Sequence, residues 1–250
     1  MDKKLKKLIQ LSHQLAEDKY HLVIIGEGNT SADCGDGTFW VKASGSQLAT
    51  IDEEGFSLVN REFVLRLIKK GQMTDQEIAA GLKDSLVNKS HHKPSVETFL
   101  HAIFLGEGGA KWVGHTHPVS ILSFLCSKVG AEPFLNHIFP DEIVVCGELP
   151  MVVPYVDPGL PLAKKMLDTL RSYQDKMGYS PKMVLMENHG LLALGQTSRE
   201  VFNISIMADK WARVMIGNYV MGGPNYLSEK HAKRIENRPD EYYRRQKLAK

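Results

Sequence analysis

The hydrophobic and polar positions of this chain alternate between the spacing of helices and the spacing of strands. In residues 3–19, Leu5, Leu8, Leu11 and Leu15 recur on one helical face, which is typical of a helix packed on a core. Further helical patterns occur at 60–70, 75–80, 96–105, 119–128, 160–175 and 198–220. Short apolar runs that predict strands occur at 21–27, 38–43, 111–118, 142–146, 151–153, 182–186 and 191–194. Because strands and helices interleave, we predict a layered α/β domain.

Breaker and capping residues set several of these boundaries. Pro94 cannot lie inside a helix and Ser95 is a good N-cap, so a helix is expected to begin at Val96, with that valine facing the core. Gly81 is expected to end the helical pattern of 75–80. From about residue 228 the chain is charged and helical in pattern, and its last residues are expected to be loose.

The composition fits one globular domain over residues 1–250 and narrows the classes of partner. The 31 basic and 29 acidic residues give a formal net charge of +2, so neither nucleic acid nor a membrane surface is expected as a partner. No apolar run approaches the ~20 residues that span a bilayer, and the start lacks the apolar core of a signal peptide. The three cysteines are dispersed and form no CxxC pair, which favours a reducing, cytoplasmic location.

The sharpest chemical motif is Gly114-His115-Thr116-His117-Pro118. Alternate residues of a strand point to the same face, so His115 and His117 are expected to present both imidazoles to one point. Two imidazoles at this spacing suit zinc, which prefers nitrogen and sulfur ligands in a tetrahedral shell. Taken alone, the motif fits a pair of structural or surface histidines equally well.

A second polar cluster, Glu187-Asn188-His189-Gly190, lies between two apolar strands. Burying such a cluster without partners would be costly, and loops at strand ends commonly display functional groups. We therefore predict that His189 is a third metal ligand, the alternative being a hydrogen-bonded turn. Three protein ligands leave an open coordination position, which is typical of catalytic rather than structural zinc.

Glu97 lies in the first turn of the helix expected after Ser95, where the helix dipole stabilises a carboxylate. It is therefore either a helix-start signal or, beside a metal, a proton carrier for chemistry next to a carbonyl group. His101 follows one turn later on the same face. We predict that His101 is a packed, hydrogen-bonded histidine rather than a fourth ligand.

Turns rich in small residues form a weaker signal. Residues 26–31 form a predicted loop whose backbone amides, together with Asn29, would cradle an anion or a hydroxylated ligand. Ser44 and Gly45 lie in a similar turn, and Ser95 lies at an expected helix N-terminus, where anions bind. Such turns are common, so their value lies in occurring together with the histidines.

Five short motifs follow one another between residues 26 and 190, over most of the chain. They are Gly28-Asn29-x-Ser31, Ser44-Gly45, Pro94-Ser95-x-Glu97 with Leu100-His101, His115-x-His117-Pro118 and Asn188-His189-Gly190. In this order they resemble the class II aldolase/adducin superfamily, which includes fuculose-phosphate and rhamnulose-phosphate aldolases and ribulose-phosphate 4-epimerase. Each motif alone is degenerate, and the specificity comes from the five together.

The resemblance implies a three-layer α/β/α fold around a mostly antiparallel sheet, and a homotetramer with active sites at subunit boundaries. It implies Glu97 as the catalytic acid/base, in contact with the metal when substrate is absent. The implied ligands of Zn²⁺, with Mn²⁺ or Co²⁺ as alternative ions, are His115, His117 and His189. The residues implied to line the substrate or phosphate pocket are Asn29, Ser44, Gly45 and Ser95.

Two features limit what the resemblance implies. Phosphate-using relatives often have two adjacent serines before the acidic residue, whereas Val96 follows Ser95 here and offers no hydroxyl donor. A non-phosphorylated substrate is therefore an open alternative. Members also place a tyrosine near the C-terminus that donates protons across the subunit boundary, and no motif chooses among the candidates Tyr226, Tyr242 and Tyr243.

The resulting hypothesis is retro-aldol cleavage of a ketose, preferably a ketose 1-phosphate. The products would be a dihydroxyacetone-phosphate-type fragment and an aldehyde, formed through a metal-stabilised enediolate. A sugar-phosphate 4-epimerase and a sugar-acid phosphate decarboxylase are alternatives on the same site. A non-catalytic binding module like the adducin head is the alternative of another class, disfavoured because the three histidines and Glu97 are all present. The sequence does not identify the sugar.

Overall fold

The computed structural model describes residues 2–248, in which seven strands form one sheet flanked by helices. The strands are β1 (Asn29–Asp33), β2 (Thr38–Lys42), β3 (Phe56–Asn60), β4 (Trp112–Thr116), β5 (Met151–Val153), β6 (Met183–Met186) and β7 (Gly190–Gly195). The helices are α1 (Lys3–Leu15), α2 (Arg61–Lys69), α3 (Asp75–Asp84), α4 (Thr98–Gly106), α5 (Val119–Leu125), α6 (Pro140–Cys146), α7 (Leu160–Met177), α8 (Ser198–Val220), α9 (Glu229–Glu236) and α10 (Pro239–Leu248).

The sheet has the strand order β3-β2-β1-β4-β7-β6-β5. Each neighbouring pair of the described strands is antiparallel except β5 and β6, which are parallel. In the middle of the sheet, Asn29 of β1 lies opposite His115 of β4, which lies opposite Leu192 of β7. The mostly antiparallel sheet is confirmed, and its register brings two motifs that are far apart in sequence onto adjacent strands.

Buried hydrophobic clusters cover both faces of this sheet. One lies under α2, α3, α4 and α7 and includes Phe39, Val41 and Val113 of the sheet. The other lies under α1, α5, α6 and α8 and includes Leu8 and Trp211. Full burial of a large apolar side chain contributes about 1.5–3 kcal/mol, so each cluster fixes its helices firmly on the sheet. The predicted three-layer α/β/α arrangement is confirmed.

Helix α8 has the bounds that the sequence pattern predicts. Its N-cap Thr197 accepts a hydrogen bond from the backbone N–H of Glu200 at 3.1 Å. Its buried face packs so closely on β4 that a Cβ at Gly114 would lie 2.7 Å from Cγ1 of Val201. The glycine before His115 therefore allows the long helix to lie directly behind the histidine-bearing strand.

The predicted strand at 21–27 is wrong, because these residues form a loop and turn. Its β-branched residues suggested a strand, yet Ile24 and Ile25 are 55% and 81% exposed. The strand forms instead at β1, in the segment predicted as a small-residue loop. Its polar side chains are accommodated in the middle of the sheet because they have buried partners, as in the 2.7 Å hydrogen bond between Thr30 and Ser12.

The predicted strand at 142–146 is also wrong, because these residues belong to helix α6. Pro140 occupies the first turn, and Asp141 and Glu142 place acidic side chains at the positive end of the helix dipole. The buried apolar residues of α6 pack against α8 rather than entering the sheet. Conversely, β3 has no counterpart in the sequence prediction, and it pairs with β2 at the edge of the sheet.

Several helix boundaries differ from the prediction, since α1 ends at Leu15 rather than at residue 19 and α5 ends at Leu125 rather than at residue 128. Helix α3 continues through Gly81, whose hypothetical Cβ would lie 2.9 Å from Cδ1 of Leu67. Gly81 therefore serves close packing rather than helix termination. Helix α4 begins at Thr98 rather than Val96, and the Val96 side chain is 40% exposed instead of facing the core.

The charged tail is helical, as predicted, in α9 and α10. Arg244 pairs with Asp141 at 2.7 Å, and Nδ2 of Asn203 donates to the carbonyl of Leu248 at 2.9 Å, so the tail packs on the domain up to that residue. The expectation of a loose end also falls on residues 249–250, which lie outside the described residues. Among the described helices, none combines the length and apolarity needed to cross a bilayer.

Candidate metal centre

The structure brings together the three histidines predicted as ligands. His115 lies near the end of β4, His117 directly follows that strand, and His189 lies in the turn between β6 and β7. One potential ligand atom from each lies within 4.8 Å of the others. Nε2 of His115 and Nε2 of His117 are 2.9 Å apart, and the ring centroids are separated by 4.6 to 5.5 Å. The cluster has the size of a single-ion site.

The backbone around His189 is shaped to bring its ring to the other two. Asn188 adopts the left-handed conformation, with φ 53°, and the backbone N–H of His189 donates to the carbonyl of Met186 at 3.1 Å. A Cβ at Gly190 would lie 2.7 Å from the carbonyl oxygen of Thr116 and 2.9 Å from Cδ2 of His117. Only glycine fits here, which gives the His-Gly pair in the motif a physical reason.

The outer nitrogens of two of these rings contact groups that only accept hydrogen bonds. Nδ1 of His115 donates to the carbonyl of Leu191 at 2.9 Å, and Nδ1 of His117 lies 2.7 Å from Oε2 of Glu27. In the neutral rings, Nδ1 therefore carries the hydrogen and Nε2 keeps its lone pair. Two lone pairs that face each other at 2.9 Å repel unless a proton or a metal cation lies between them. The donor set therefore fits a divalent metal that prefers nitrogen ligands.

Glu97 contacts the histidine cluster through one carboxylate oxygen. Its Oε1 lies 3.0 Å from Nε2 of His189 and 3.6 Å from Nε2 of His115. Its Oε2 accepts a short hydrogen bond from Nδ2 of Asn29. Asn29 thus holds Oε2 of Glu97 in place, while Oε1 lies beside the histidines. In that position Oε1 is suited to bind a metal as a fourth ligand or to accept a proton.

Burial and the neighbouring charges together set the pKa values of Glu97, His115 and His117. Burial raises the pKa of the Glu97 carboxyl, but the charges and hydrogen bonds of His115 and His189 outweigh burial and hold this pKa well below its ordinary value. Burial lowers the pKa of His115, and the Glu97 carboxylate reverses that effect and raises it overall. Burial, followed by the charges of His115 and His189, lowers the pKa of His117 to about 3. His117 is therefore neutral near pH 7, the state in which imidazole binds a metal.

A buried hydrogen-bonded chain extends from Glu97 into the core. Asn29 is 3% exposed, and its Oδ1 contacts Nε2 of His101. Nδ1 of His101 lies 2.6 Å from Oγ of Ser31. Burial lowers the pKa of His101 to about 3. The prediction that His101 is packed and hydrogen-bonded is confirmed, and its contacts orient the amide that holds Glu97.

The two turns predicted to bind substrate lie side by side. Ala43 and Pro94 form a β-bridge, and the backbone N–H of Ser44 donates to the carbonyl of Lys93 at 2.9 Å. Ser44 and Gly45 are exposed. Ser95 is not the N-cap of α4, since Glu97 occupies that position. Oγ of Ser95 instead accepts a hydrogen bond from the backbone N–H of Glu97 at 3.3 Å.

Residue Val96 and its neighbours also open onto a cleft. The cleft has a volume of about 710 Å³, and Lys93, Val96 and Lys164 are among its lining residues. Val96 directly precedes Glu97 in the sequence, but neither Glu97 nor any of the three histidines is among the residues that line this cleft. The exposed valine therefore contributes an apolar side chain to the wall of this cleft.

Two residues near the site were not predicted from the sequence. Lys42 is 4% exposed, and burial lowers its pKa, an effect that the Glu97 charge partly offsets. It forms no ion pair with any described residue. Glu27 contacts His117, as stated above. In the sequence, Lys42 is visible only as a lysine two residues before Ser44, and Glu27 only as an acidic residue in the loop of residues 26–31. Neither position indicates which residues the side chain contacts until the fold is known.

The candidate tyrosines remain apart from the cluster within the described chain. Tyr226 lies near Tyr219, and burial together with that neighbour raises the pKa of Tyr226 to about 12. Tyr242 and Tyr243 are about 60% exposed on α10. None of these three tyrosines forms a hydrogen bond with Glu97 or the histidines in residues 2–248.

Several known proteins are similar to this chain. An uncharacterised oxidoreductase, YuxG of Bacillus subtilis (strain 168), is 34% identical over 225 residues, which cover 84% of this chain and 30% of that protein. The chain thus spans less than a third of the length of that relative. The N-terminal class II aldolase domain of a conserved Thermoplasma acidophilum protein superposes with a TM-score of 0.70 at 30% identity, over 86% of this chain and 95% of that one.

An L-fuculose 1-phosphate aldolase superposes with a TM-score of 0.71 over 94% of this chain and 95% of that enzyme. Its 18% identity makes this a likeness of fold alone. Residues 6–216 match the model of the family described as Class II Aldolase and Adducin N-terminal domain. Because this match includes every histidine, carboxylate and turn described above, the chain belongs to the Class II Aldolase and Adducin N-terminal domain family.

Proposed function

We propose that this protein is a divalent-metal-dependent lyase that cleaves a ketose, preferably a ketose 1-phosphate, by a retro-aldol reaction. The products are a dihydroxyacetone-phosphate-type fragment and an aldehyde. The observation that carries the proposal is the contact between the Glu97 carboxylate and the three-histidine cluster. It combines, within one site, a place for a cation and a base that can exchange a proton with carbon.

The residues that would hold the metal are His115, His117 and His189. A divalent cation bound there would act as a Lewis acid that stabilises negative charge on an oxygen next to the reacting carbon. Three neutral imidazoles favour Zn²⁺, with Mn²⁺ or Co²⁺ as alternatives. Because His115 is fully buried and Glu97 supplies the adjacent oxygen, the substrate would enter from the Glu97 side.

Glu97 is the proposed acid/base. The histidines hold the pKa of its carboxyl well below the ordinary value, so it is ionised near neutral pH and able to accept a proton. In the addition direction it would take a proton from the carbon next to the carbonyl group, and in the cleavage direction it would return one to that carbon. Asn29 would keep the carboxylate oriented through its hydrogen bond to Oε2.

An anionic group on the substrate is supported by charge. Lys42 is a buried cation without an ion-pair partner among the described residues, on the strand that leads into Ser44 and Gly45. Gly45 offers an exposed amide, and Ser44 and Ser95 offer hydroxyls, on adjacent turns. A phosphate in this region would satisfy both the cation and the donors. The apolar Val96 would then face the rest of the sugar rather than the phosphate.

The second acid/base is expected from another subunit. Deprotonation of the hydroxyl on the departing aldehyde needs a group on the opposite side of the substrate from Glu97. Since no described tyrosine contacts the cluster, we propose that Tyr226, Tyr242 or Tyr243 of a neighbouring subunit of a homotetramer supplies it. The exposed apolar residues Tyr219, Val220 and Met221 at the end of α8 are suited to such an interface.

Product analysis tests the reaction. Zinc-loaded protein is incubated with a panel of ketose 1-phosphates and free ketoses, and the products are separated by mass spectrometry. The proposal expects two fragments, one of them dihydroxyacetone phosphate or its unphosphorylated counterpart. A single isomerised pentose phosphate would assign an epimerase, released carbon dioxide would assign a decarboxylase, and no turnover of any substrate would favour a binding module.

A further inference from the structure

The Glu27 carboxylate touches the outer side of the histidine cluster, and the proposed reaction gives it no part. Its Oε2 lies 2.7 Å from Nδ1 of His117, and its Oε1 accepts a hydrogen bond from the backbone N–H of Ile24 at 2.7 Å. Nε2 of His117 points the other way, 2.9 Å from Nε2 of His115. Glu27 therefore holds the nitrogen of His117 that is not available to the proposed metal.

The partner of His117 differs in kind from that of His115. Nδ1 of His115 donates to a neutral backbone carbonyl, that of Leu191, at 2.9 Å. A carbonyl fixes the tautomer and orientation of an imidazole. A carboxylate does the same and also adds negative charge, which makes the opposite nitrogen a stronger electron donor to a metal. His117 would thus be the more basic ligand, and this property would depend on Glu27.

The backbone holds Glu27 in place. Ile25 adopts a φ of 57°, in the left-handed region that β-branched residues rarely occupy, and Gly28 has a φ of 74°. A Cβ at Gly28 would lie 2.8 Å from the carbonyl oxygen of His115, so the turn packs directly on strand β4. The Glu27 side chain is only 26% exposed. Its position therefore follows from the packed turn and from two fixed oxygens, rather than from a chance surface contact.

We propose that Glu27 is a positioning residue that holds His117 in the Nδ1-protonated tautomer, aims its Nε2 at the metal and increases metal affinity. The inference rests on the proposed function, because it takes the three histidines as the metal ligands. Glu27 belongs to the loop of residues 26–31, and the proposed reaction assigns it no role.

The test is the zinc affinity of the whole 250-residue chain, stripped of metal and titrated against a chromophoric chelator. Glu27→Ala is expected to weaken zinc binding about 10- to 100-fold, the range seen when such outer partners are removed. Glu27→Gln keeps an acceptor but loses the charge, so its effect should be smaller. The matched control is Glu62→Gln, an exposed glutamate at the start of α2, which should bind zinc as the wild type does.

A double variant separates positioning from a general effect on folding. In a His117→Ala background no ring remains for Glu27 to orient, so adding Glu27→Ala should leave the residual zinc affinity unchanged. The visible spectrum of bound Co²⁺ should change in Glu27→Ala and not in Glu62→Gln. Wild-type zinc affinity in Glu27→Ala, or an equal loss with and without His117, would overturn the inference.

The outcomes also separate this inference from the proposed function. Failure of the wild type to bind zinc at one ion per chain would overturn both. Stoichiometric zinc with unaffected Glu27 variants would overturn the role of Glu27 alone. Weakened zinc binding in Glu27→Ala, together with no cleavage of any ketose, would support the role of Glu27 and overturn only the reaction.

Discussion

Nε2 of His189 lies 3.0 Å from Oε1 of Glu97, although 92 positions separate the two residues in the sequence. The contact joins the turn between β6 and β7 to the start of α4. Because Asn29 holds the other carboxylate oxygen, Oε1 is directed at the histidines. The same side chain can thus face both a bound metal and a substrate carbon, and several predictions about its neighbours depend on this arrangement.

Changing Glu97 to Gln should abolish turnover and leave the metal bound. Glutamine keeps the shape and one acceptor but cannot take a proton, so kcat/KM should fall about 10²- to 10⁴-fold. Steady-state kinetics and inductively coupled plasma mass spectrometry of the same preparation measure both quantities. Glu53→Gln, at an exposed position, is the control. Full activity in the Glu97 variant would refute the assignment, and loss of metal would make Glu97 an obligatory ligand instead.

Changing His189 to Ala should remove most of the bound metal. Removing a residue that only hydrogen-bonds a metal ligand lowers metal affinity about 10- to 100-fold. Removing a ligand itself should have a larger effect, so the metal affinity should fall by on the order of 100-fold or more. Metal content after dialysis against a weak chelator measures the effect. His231→Ala on α9 is the matched control, because that histidine is exposed. Equal metal content in the two variants would exclude His189 from the site.

Changing Gly190 to Ala should disturb the metal site through packing. The new Cβ would meet the ring of His117 at 2.9 Å and the carbonyl of Thr116 at 2.7 Å, and that carbonyl belongs to the backbone of β4. We expect a loss of about 1–3 kcal/mol in unfolding free energy, together with weaker metal binding. Gly217→Ala is the control, since nothing lies within 4 Å of a Cβ there. Unchanged stability and metal affinity in Gly190→Ala would show that this turn is more open than described.

Changing Lys42 to Met should stabilise the protein while weakening anion binding. A buried cation without an ion-pair partner costs free energy, so the variant should gain on the order of 1 kcal/mol in unfolding free energy. Affinity for a phosphorylated ketose or inorganic phosphate should drop about 10-fold or more, as expected for a lost charge-assisted hydrogen bond. Thermal unfolding and calorimetric titration measure the two effects, with exposed Lys83→Met as control. A destabilised variant with unchanged phosphate affinity would contradict this account of Lys42.

The stability of the metal-free protein should decline with acid partly through His101. Its pKa in the folded protein is about 3, below the ordinary value of 6.5, so below pH 6.5 only the unfolded chain binds this proton. The contribution of neutral His101 to the free energy of unfolding is fully present above pH 6.5. It is lost as the pH falls towards 3, at up to about 1.4 kcal/mol per pH unit. Urea unfolding at several pH values should give a shallower decline for His101→Gln. Parallel curves for the two proteins would mean that His101 is not buried in the neutral form.

Much of the site was predictable because it depends on local geometry. Alternation along a strand places His115 and His117 on one side, and a polar turn between two apolar strands marks His189. The roles of Glu27 and Lys42 were not predictable in this way. Glu27 acts through a turn with left-handed backbone, and the significance of Lys42 lies in its burial, a property of the whole fold.

The errors in the fold have a similar origin. The apolar segments at 21–27 and 142–146 both satisfy the composition of a strand, yet one is an exposed loop and the other a helix packed on α8. Strand β1 contains Asn29 and Ser31, polar residues that disfavour a central strand until His101 supplies their partners. Propensity fails at these points because long-range hydrogen bonds and packing outweigh it.

The most direct test of the central claim is anomalous diffraction at the zinc edge from crystals of the metal-loaded protein. The account predicts one strong anomalous peak about 2.0–2.1 Å from Nε2 of each of His115, His117 and His189. Absence of a peak at this cluster, or a zinc ion bound through other atoms of these residues, would contradict it.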